Sequence, residues 1–147
     1  MMHNIEQKTP YGLNIQVALP HDVAVERTRE ELSKEGFGVL TEVDIRETLK
    51  KKLDVDFRPY VILGACNPPL AHRALTAEPD IGLLLPCNVI VYAGDTPGST
   101  NVVAIDPVAQ LGITGNAELE SVADDVRQRL ERVLASLAEQ TGAVANP

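Results

Sequence analysis

The sequence predicts an α+β domain, with an antiparallel sheet of about five strands and helices laid on one face, in the order β-α-β-α-β-α-β-β-α. Three observations predict it. Short apolar runs that alternate with period two, such as Leu13, Ile15, Val17 and Leu19, are separated by stretches bounded by helix caps. The run from Cys87 to Ala93 is apolar on both faces, as a central strand is, and a Pro97-Gly98 turn links it directly to the next strand. A long helix over residues 117–139 then closes the chain, with Leu119, Val122, Val126, Leu130, Val133 and Leu137 stepping by three and four. A shuffled ferredoxin-like arrangement is the nearest competitor.

The first strand, Tyr11 to Leu19, stops at Pro20, and Asp22 is placed to cap a helix running to Glu35. Val25, Thr28 and Leu32 mark its inner face, and Gly36 supplies the left-handed position that ends it. A second strand runs from Phe37 to Val43. Asp44 and Glu47 have capping-box spacing ahead of a short helix carrying Ile45, Leu49 and Leu53. Lys50, Lys51 and Lys52 fall in its last turn, where positive charge suits the dipole, and read as a solvated helix end. Arg58 to Cys66 is the third strand. Asn67 caps the third helix, with Pro68 at its first position, and that helix stops near Glu78-Pro79. Pro86 fits the start of the fourth strand but not its interior. The fifth strand spans Thr100 to Asp106, the GITG stretch at 112–115 reads as a turn, and Asn116 caps the last helix. Asp44 and Asp106 are isolated carboxylates, suited to strand ends or caps. Residues 140–147 read as a frayed tail.

At 147 residues and 44% hydrophobic content, one core is affordable and two are not, so residues 1–147 are expected to form a single domain. The net charge is −8, from 21 acidic and 13 basic residues. That balance argues against nucleic acid and against anionic membrane surfaces, both of which call for a basic face. No apolar leader segment opens the chain, and no stretch approaches the ~20 apolar residues of a spanning helix. A reducing cytoplasm is the expected location, and the two cysteines are expected as thiols. No P-loop, dinucleotide fingerprint, nucleophile elbow or zinc-protease motif is present, and nothing points to an enzyme.

The only two cysteines are each followed by asparagine, in GACNP at 64–68 and LLPCN at 84–88. The run TEVDIRETLKKKLDVDFRPYVILGACNPPLAHRAL, then DIGLLLPCNVIVY, then AIDP at 104–107, resembles the bacterial and archaeal family called domain of unknown function 302, over residues 11–137. Its characteristic positions fall on Asp44, Arg58, Gly64, Cys66, Asn67, Pro68, Pro86, Cys87, Asn88 and Pro107, with no departure. The resemblance implies a sheet similar to the saddle of TATA-binding-protein-like domains and frequent homodimerisation. It implies no established activity or cofactor.

Cys66 ends one predicted strand and Cys87 begins the next, so antiparallel pairing would bring both to one rim of the sheet. Cys66 also precedes a helix N-terminus, which favours a thiolate there. Asn67 and Asn88 would flank the site, and His72 is the third candidate side chain. At 100° per residue, however, His72 lies about 130° from the centre of its helix's apolar face. Cys66, Cys87 and His72 lack a fourth ligand and the usual zinc spacing, so no metal is assigned. Two functions remain open. One is a domain that binds a small ligand, or performs thiol redox chemistry, through Cys66 and Cys87. The other is a non-catalytic homodimer, interfacing through its sheet or long helix, in which both cysteines simply pack in the core.

Overall fold

A computed structural model describes residues 5–141 of the chain. The tail expected to fray lies outside the described residues from 142 onward. The elements run β1 Gly12–Val17, α1 His21–Lys34, β2 Gly38–Asp44, α2 Ile45–Leu53, β3 Tyr60–Cys66 and α3 Pro68–Ala77. A 3₁₀ segment at Pro79–Leu84 follows, then β4 Cys87–Ala93, β5 Thr100–Ile105, α4 Pro107–Gly112, a 3₁₀ turn at Ala117–Leu119, and α5 Glu120–Thr141.

The five strands form one sheet in the order β1-β5-β4-β3-β2, and every neighbouring pair is antiparallel. β1 and β2 are therefore its two edges, and α1 carries the chain from one edge to the other. Directly paired residues share a face. Ile15, Val102, Val91 and Val61 form one cross-strand row, and Leu13, Ala104, Val89 and Leu63 form the next. All eight are buried beneath the helices. The opposite face carries Val103, Ile90, Ile62 and Val43 in one row and Asn101, Tyr92 and Tyr60 in another. The expected α+β architecture holds.

The helical expectations hold where a periodic face meets the sheet. Val25, Thr28 and Leu32 of α1 are buried, as are all six apolar positions read along the last helix. Gly36 sits at φ 85°. Asp44 Oδ1 accepts from the Glu47 N–H at 2.9 Å, but the other half of the capping box is missing because Glu47 pairs with Lys51 at 2.7 Å instead.

Several expectations need correction. Asp22 does not cap α1: the helix begins at His21, two residues earlier than a cap at Asp22 would start it, with Pro20 at the cap position and no side-chain cap. Asp22 lies within the first turn, where its charge still suits the helix dipole. β3 starts at Tyr60, because Arg58 and Pro59 form the lead-in whose Pro59 carbonyl accepts from the Ala93 N–H. β5 stops at Ile105, which frees Asp106 to cap an unexpected helix, α4. Asn116 does act as a cap, but of the 3₁₀ turn that leads into α5.

Asp106 is the most committed polar group in the fold. Its carboxylate is 4% exposed and accepts from the Val108 N–H at 3.0 Å, from Arg127 at 2.8 Å and from Gln7 at 3.3 Å. It thereby ties the N-terminal segment, α4 and α5 together. Removing the carboxylate takes the acceptor away from the Val108 N–H and from Arg127, but Arg127 is a third exposed and keeps Glu131 at 3.6 Å, so the cost is about 1–3 kcal/mol. Asp106→Ala should lower the unfolding free energy by that amount in a urea titration. Asp106→Asn keeps a side-chain oxygen for the Val108 cap and should cost less.

Candidate functional site

The GACNP and LLPCN segments meet at one end of the sheet, where β3 passes into α3 and the 3₁₀ segment passes into β4. Gly64 lies opposite Asn88 on β4 and Thr41 on β2. A Cβ on Gly64 would come within 2.2 Å of Thr41 Oγ1 and 2.9 Å of Pro86 Cγ. Only glycine lets the hydroxyl of Thr41 and the ring of Pro86, which follows a cis peptide bond, lie this close.

Asn67 is buried and works at both ends. Its Oδ1 accepts from the Leu70 N–H at 3.4 Å, capping α3, and its Nδ2 donates to the Glu35 carbonyl at 3.4 Å, at the end of α1. Arg129 of α5 donates to the same carbonyl at 3.1 Å. Asn67 is thus a junction between helix ends. Asn88 is exposed on the uncovered face of the sheet.

Register decides the fate of the cysteines. Cys87 pairs with Ala65, not with Cys66, so Cys87 and Ala65 point under the helices. The expected facing pair at one rim does not form, because Cys66 lies one residue out of register with Cys87. Both thiols are free. Cys66 is half-buried, whereas Cys87 is buried and its S–H donates to Gln110 Oε1 of α4 at 3.8 Å. Gln110 Nε2 in turn donates to the Leu84 carbonyl, so one amide holds both the thiol and the segment before it. Burial pushes the Cys87 thiol up from 9.0 to about 11, with the nearby Cys66 adding to the effect. His72 is exposed on the outer side of α3, and its carbonyl accepts from the Thr76 hydroxyl at 2.7 Å. Among the described residues, no three His, Cys, Asp or Glu side chains are placed to hold a metal ion.

The same junction borders a half-open cavity of about 290 Å³ between the sheet end, α3, α4 and α5. Phe37, Leu70, Leu85, Leu111, Val122 and Val126 supply much of its wall, with Ala71 and Ala74 lining the α3 side. Leu40, 67% exposed, and Leu75, 41% exposed, also border it. Ala65, Cys66, Asn67, Pro86 and Cys87 complete it where the two motif segments meet. Among the described residues, no histidine, carboxylate, lysine, arginine or hydroxyl lines it. The wall residues from α4 and the 3₁₀ segment were not anticipated, since neither element was expected. Asp106 followed by Pro107, a capping residue before a first-position proline, was a signal available for α4.

The sequence profile of the family described as "Domain of unknown function DUF302" matches residues 13–137, most of the chain. The chain belongs to the DUF302 family. A crystal structure of an uncharacterised conserved DUF302 protein from Bacillus stearothermophilus is similar to it, with a TM-score of 0.81 and 32% identity. The likeness covers 88% of this chain and 99% of that one. Nothing among curated proteins matches the chain. In this DUF302 domain, five of the motif positions therefore have structural tasks: Gly64 admits close neighbours, Asn67 joins helix ends, Pro68 starts α3, Pro86 covers Gly64, and Cys87 donates to Gln110. No helix among the described residues is long and apolar enough to cross a membrane.

The raised Cys87 thiol has a consequence for stability. The folded state keeps its proton where the unfolded state has lost it, so this contribution is intact below about pH 9 and is lost between about pH 9 and 11. Two units correspond to about 2–3 kcal/mol. Urea titrations across that range should show stability falling more steeply in the native protein than in Cys87→Ala. Iodoacetamide at pH 8 should label Cys66 and leave Cys87 unmodified until the chain unfolds.

Proposed function

We propose that this domain binds a small apolar molecule, a ring compound or a short acyl chain, in the cavity beneath α3. The observation that carries this reading is a space of about 290 Å³ whose wall is almost wholly apolar and whose border includes exposed leucines. A dry apolar cavity of about 150 Å³ is enough to take up benzene in another protein. Burying a ligand here would gain roughly 25 cal/mol for each Å² removed from water.

The cavity offers binding rather than chemistry. Catalysis by acid, base or nucleophile needs a titratable group aimed at the substrate, and the wall supplies only the two thiols. A dithiol redox site needs both sulfurs within disulfide reach, with an accessible thiolate. Cys87 is buried and protonated near neutral pH, and its cross-strand neighbour is Ala65 rather than Cys66. Two free thiols are compatible with a reducing cytoplasm.

Titration with 1-aminoanthracene, whose emission rises in apolar surroundings, tests the proposal. Saturable one-to-one binding in the micromolar range is expected. Ala71→Phe, which fills the α3 side of the cavity, should weaken binding at least about tenfold with an unchanged circular dichroism spectrum. If the native protein shows no saturable binding, or if Ala71→Phe binds equally well, the cavity is not a ligand site.

A further inference from the structure

We infer that the uncovered face of the sheet binds a neutral, hydroxyl-rich chain, an extended oligosaccharide, along a row of amide and phenol groups on Gln16, Asn101, Tyr92 and Tyr60. These four residues are successive cross-strand partners on β1, β5, β4 and β3, so their side chains share that face. Three inter-strand spacings of about 4.8 Å make the row about 14 Å long. It lies on the side of the sheet away from the helices and from the apolar cavity.

The decisive residue is Asn101. It is only 8% exposed, yet its side chain makes no hydrogen bond among the described residues. Asn14, its diagonal neighbour on β1, is equally buried and leaves Oδ1 without a partner. The Gln16 amide and the hydroxyls of Tyr92 and Tyr60 likewise have no partner among the described residues. Buried amides in a folded protein are almost always paired, because a desolvated amide left alone weakens the fold. Two of them together on the face that no helix covers mark a place where the partner comes from outside the chain.

Chemistry selects the ligand. No strand residue pointing to this face is Asp, Glu, Lys or Arg, in a chain that carries 21 acidic and 13 basic residues. Arg58 reaches over Tyr92 from the margin, but it is already paired with Asp95 at 3.3 Å. A charged group brought here would lose its water and gain no opposite charge, and the net −8 repels anionic chains. Amides and phenols both donate and accept, as sugar hydroxyls do. The parallel row of Val103, Ile90 and Ile62 is apolar and half-buried. A sugar ring has a hydroxyl edge and an apolar C–H face, so it can use both rows at once. A nucleobase fits less well. Tyr60 stacks on Tyr92 at 5.2 Å, and Arg58 lies 5.9 Å from the Tyr92 ring, so the two rings do not stand apart to clamp a flat base.

Isothermal titration calorimetry with cellohexaose, a neutral and extended chain of β-linked glucose, should show saturable binding to the native protein. Tyrosine emission should change with it, since two of the three tyrosines lie on the row and the chain has no tryptophan. Asn101→Val removes the amide at nearly constant volume and should weaken binding at least about tenfold. Its urea midpoint should stay level or rise, because the amide has no partner in the fold to lose. Tyr92→Phe keeps the ring and its stack and removes only the hydroxyl, and should weaken binding several-fold. An oligogalacturonate of similar length, and adenosine, should not bind. The proposal is overturned by an absence of saturable cellohexaose binding, by undiminished binding in either variant, or by a fall in the Asn101→Val midpoint, which would make the amide structural. Comparable binding of the anionic chain or of adenosine overturns it too. So does binding that disappears as the protein is concentrated and its mass doubles, which would put a second copy on this face.

Discussion

A sheet whose two edge strands are consecutive in the chain has to be crossed from side to side by whatever joins them. Here the joining element is α1, with three residues before it and three after it before β2 begins. Four inter-strand spacings of about 4.8 Å amount to about 19 Å. Fourteen helical residues rising 1.5 Å each reach about 21 Å. With linkers this short, the helix has to lie across the strands, and it touches β2, β4 and β5 on its way. Once it is there, α5 can pack beside it against β1, and α3 beside α5, so all the bulky helices gather on one side. The other face of the sheet is left with half-buried Ile62, Ile90 and Val103 and a pair of stacked tyrosines.

The polar groups inside the fold work mostly at places where helices begin or end. Asp106 holds the start of α4 to α5, Asn67 holds the end of α1 to the start of α3, and Gln110 holds α4 to the turn before β4. Each has at least two partners, so none is left as an isolated desolvated dipole. The residues that look most like a reactive constellation in the sequence, CN and CN, are largely occupied in this way. What they border is an apolar hollow.

Local signals in the sequence carried most of the fold. Asp44, Asn67 and Asn116 cap where their side chains and spacing say they should, and Gly36 takes the positive φ that ends α1. Alternation located the strands, and the three-four repeat located α5. What was not legible depends on register or on very short elements. PVAQLG is six residues, under two turns, too few for a periodic face to appear. PDIGLL forms a 3₁₀ segment, a geometry without a 3.6-residue signature. The relation of the two cysteines depended on whether Cys87 lies beside Ala65 or Cys66. A one-residue difference in pairing moves a side chain to the opposite face, and nothing within either motif specifies it.

Gly64, Thr41 and Pro86 share a single small volume. Between them there is room for one hydroxyl and one proline ring, and for nothing beyond a hydrogen on the glycine. Positions 41, 64 and 86 lie far apart along the chain, on two different strands and on the approach to a third, yet sterically they behave as one site. A chain that keeps this fold can therefore tolerate a side chain at position 64 only after position 41 has become smaller and position 86 has lost its ring. An evolutionary path that changes glycine first passes through a clash of under 3 Å with two neighbours. The three residues should drift together through sequence space, as one correlated character rather than three independent ones.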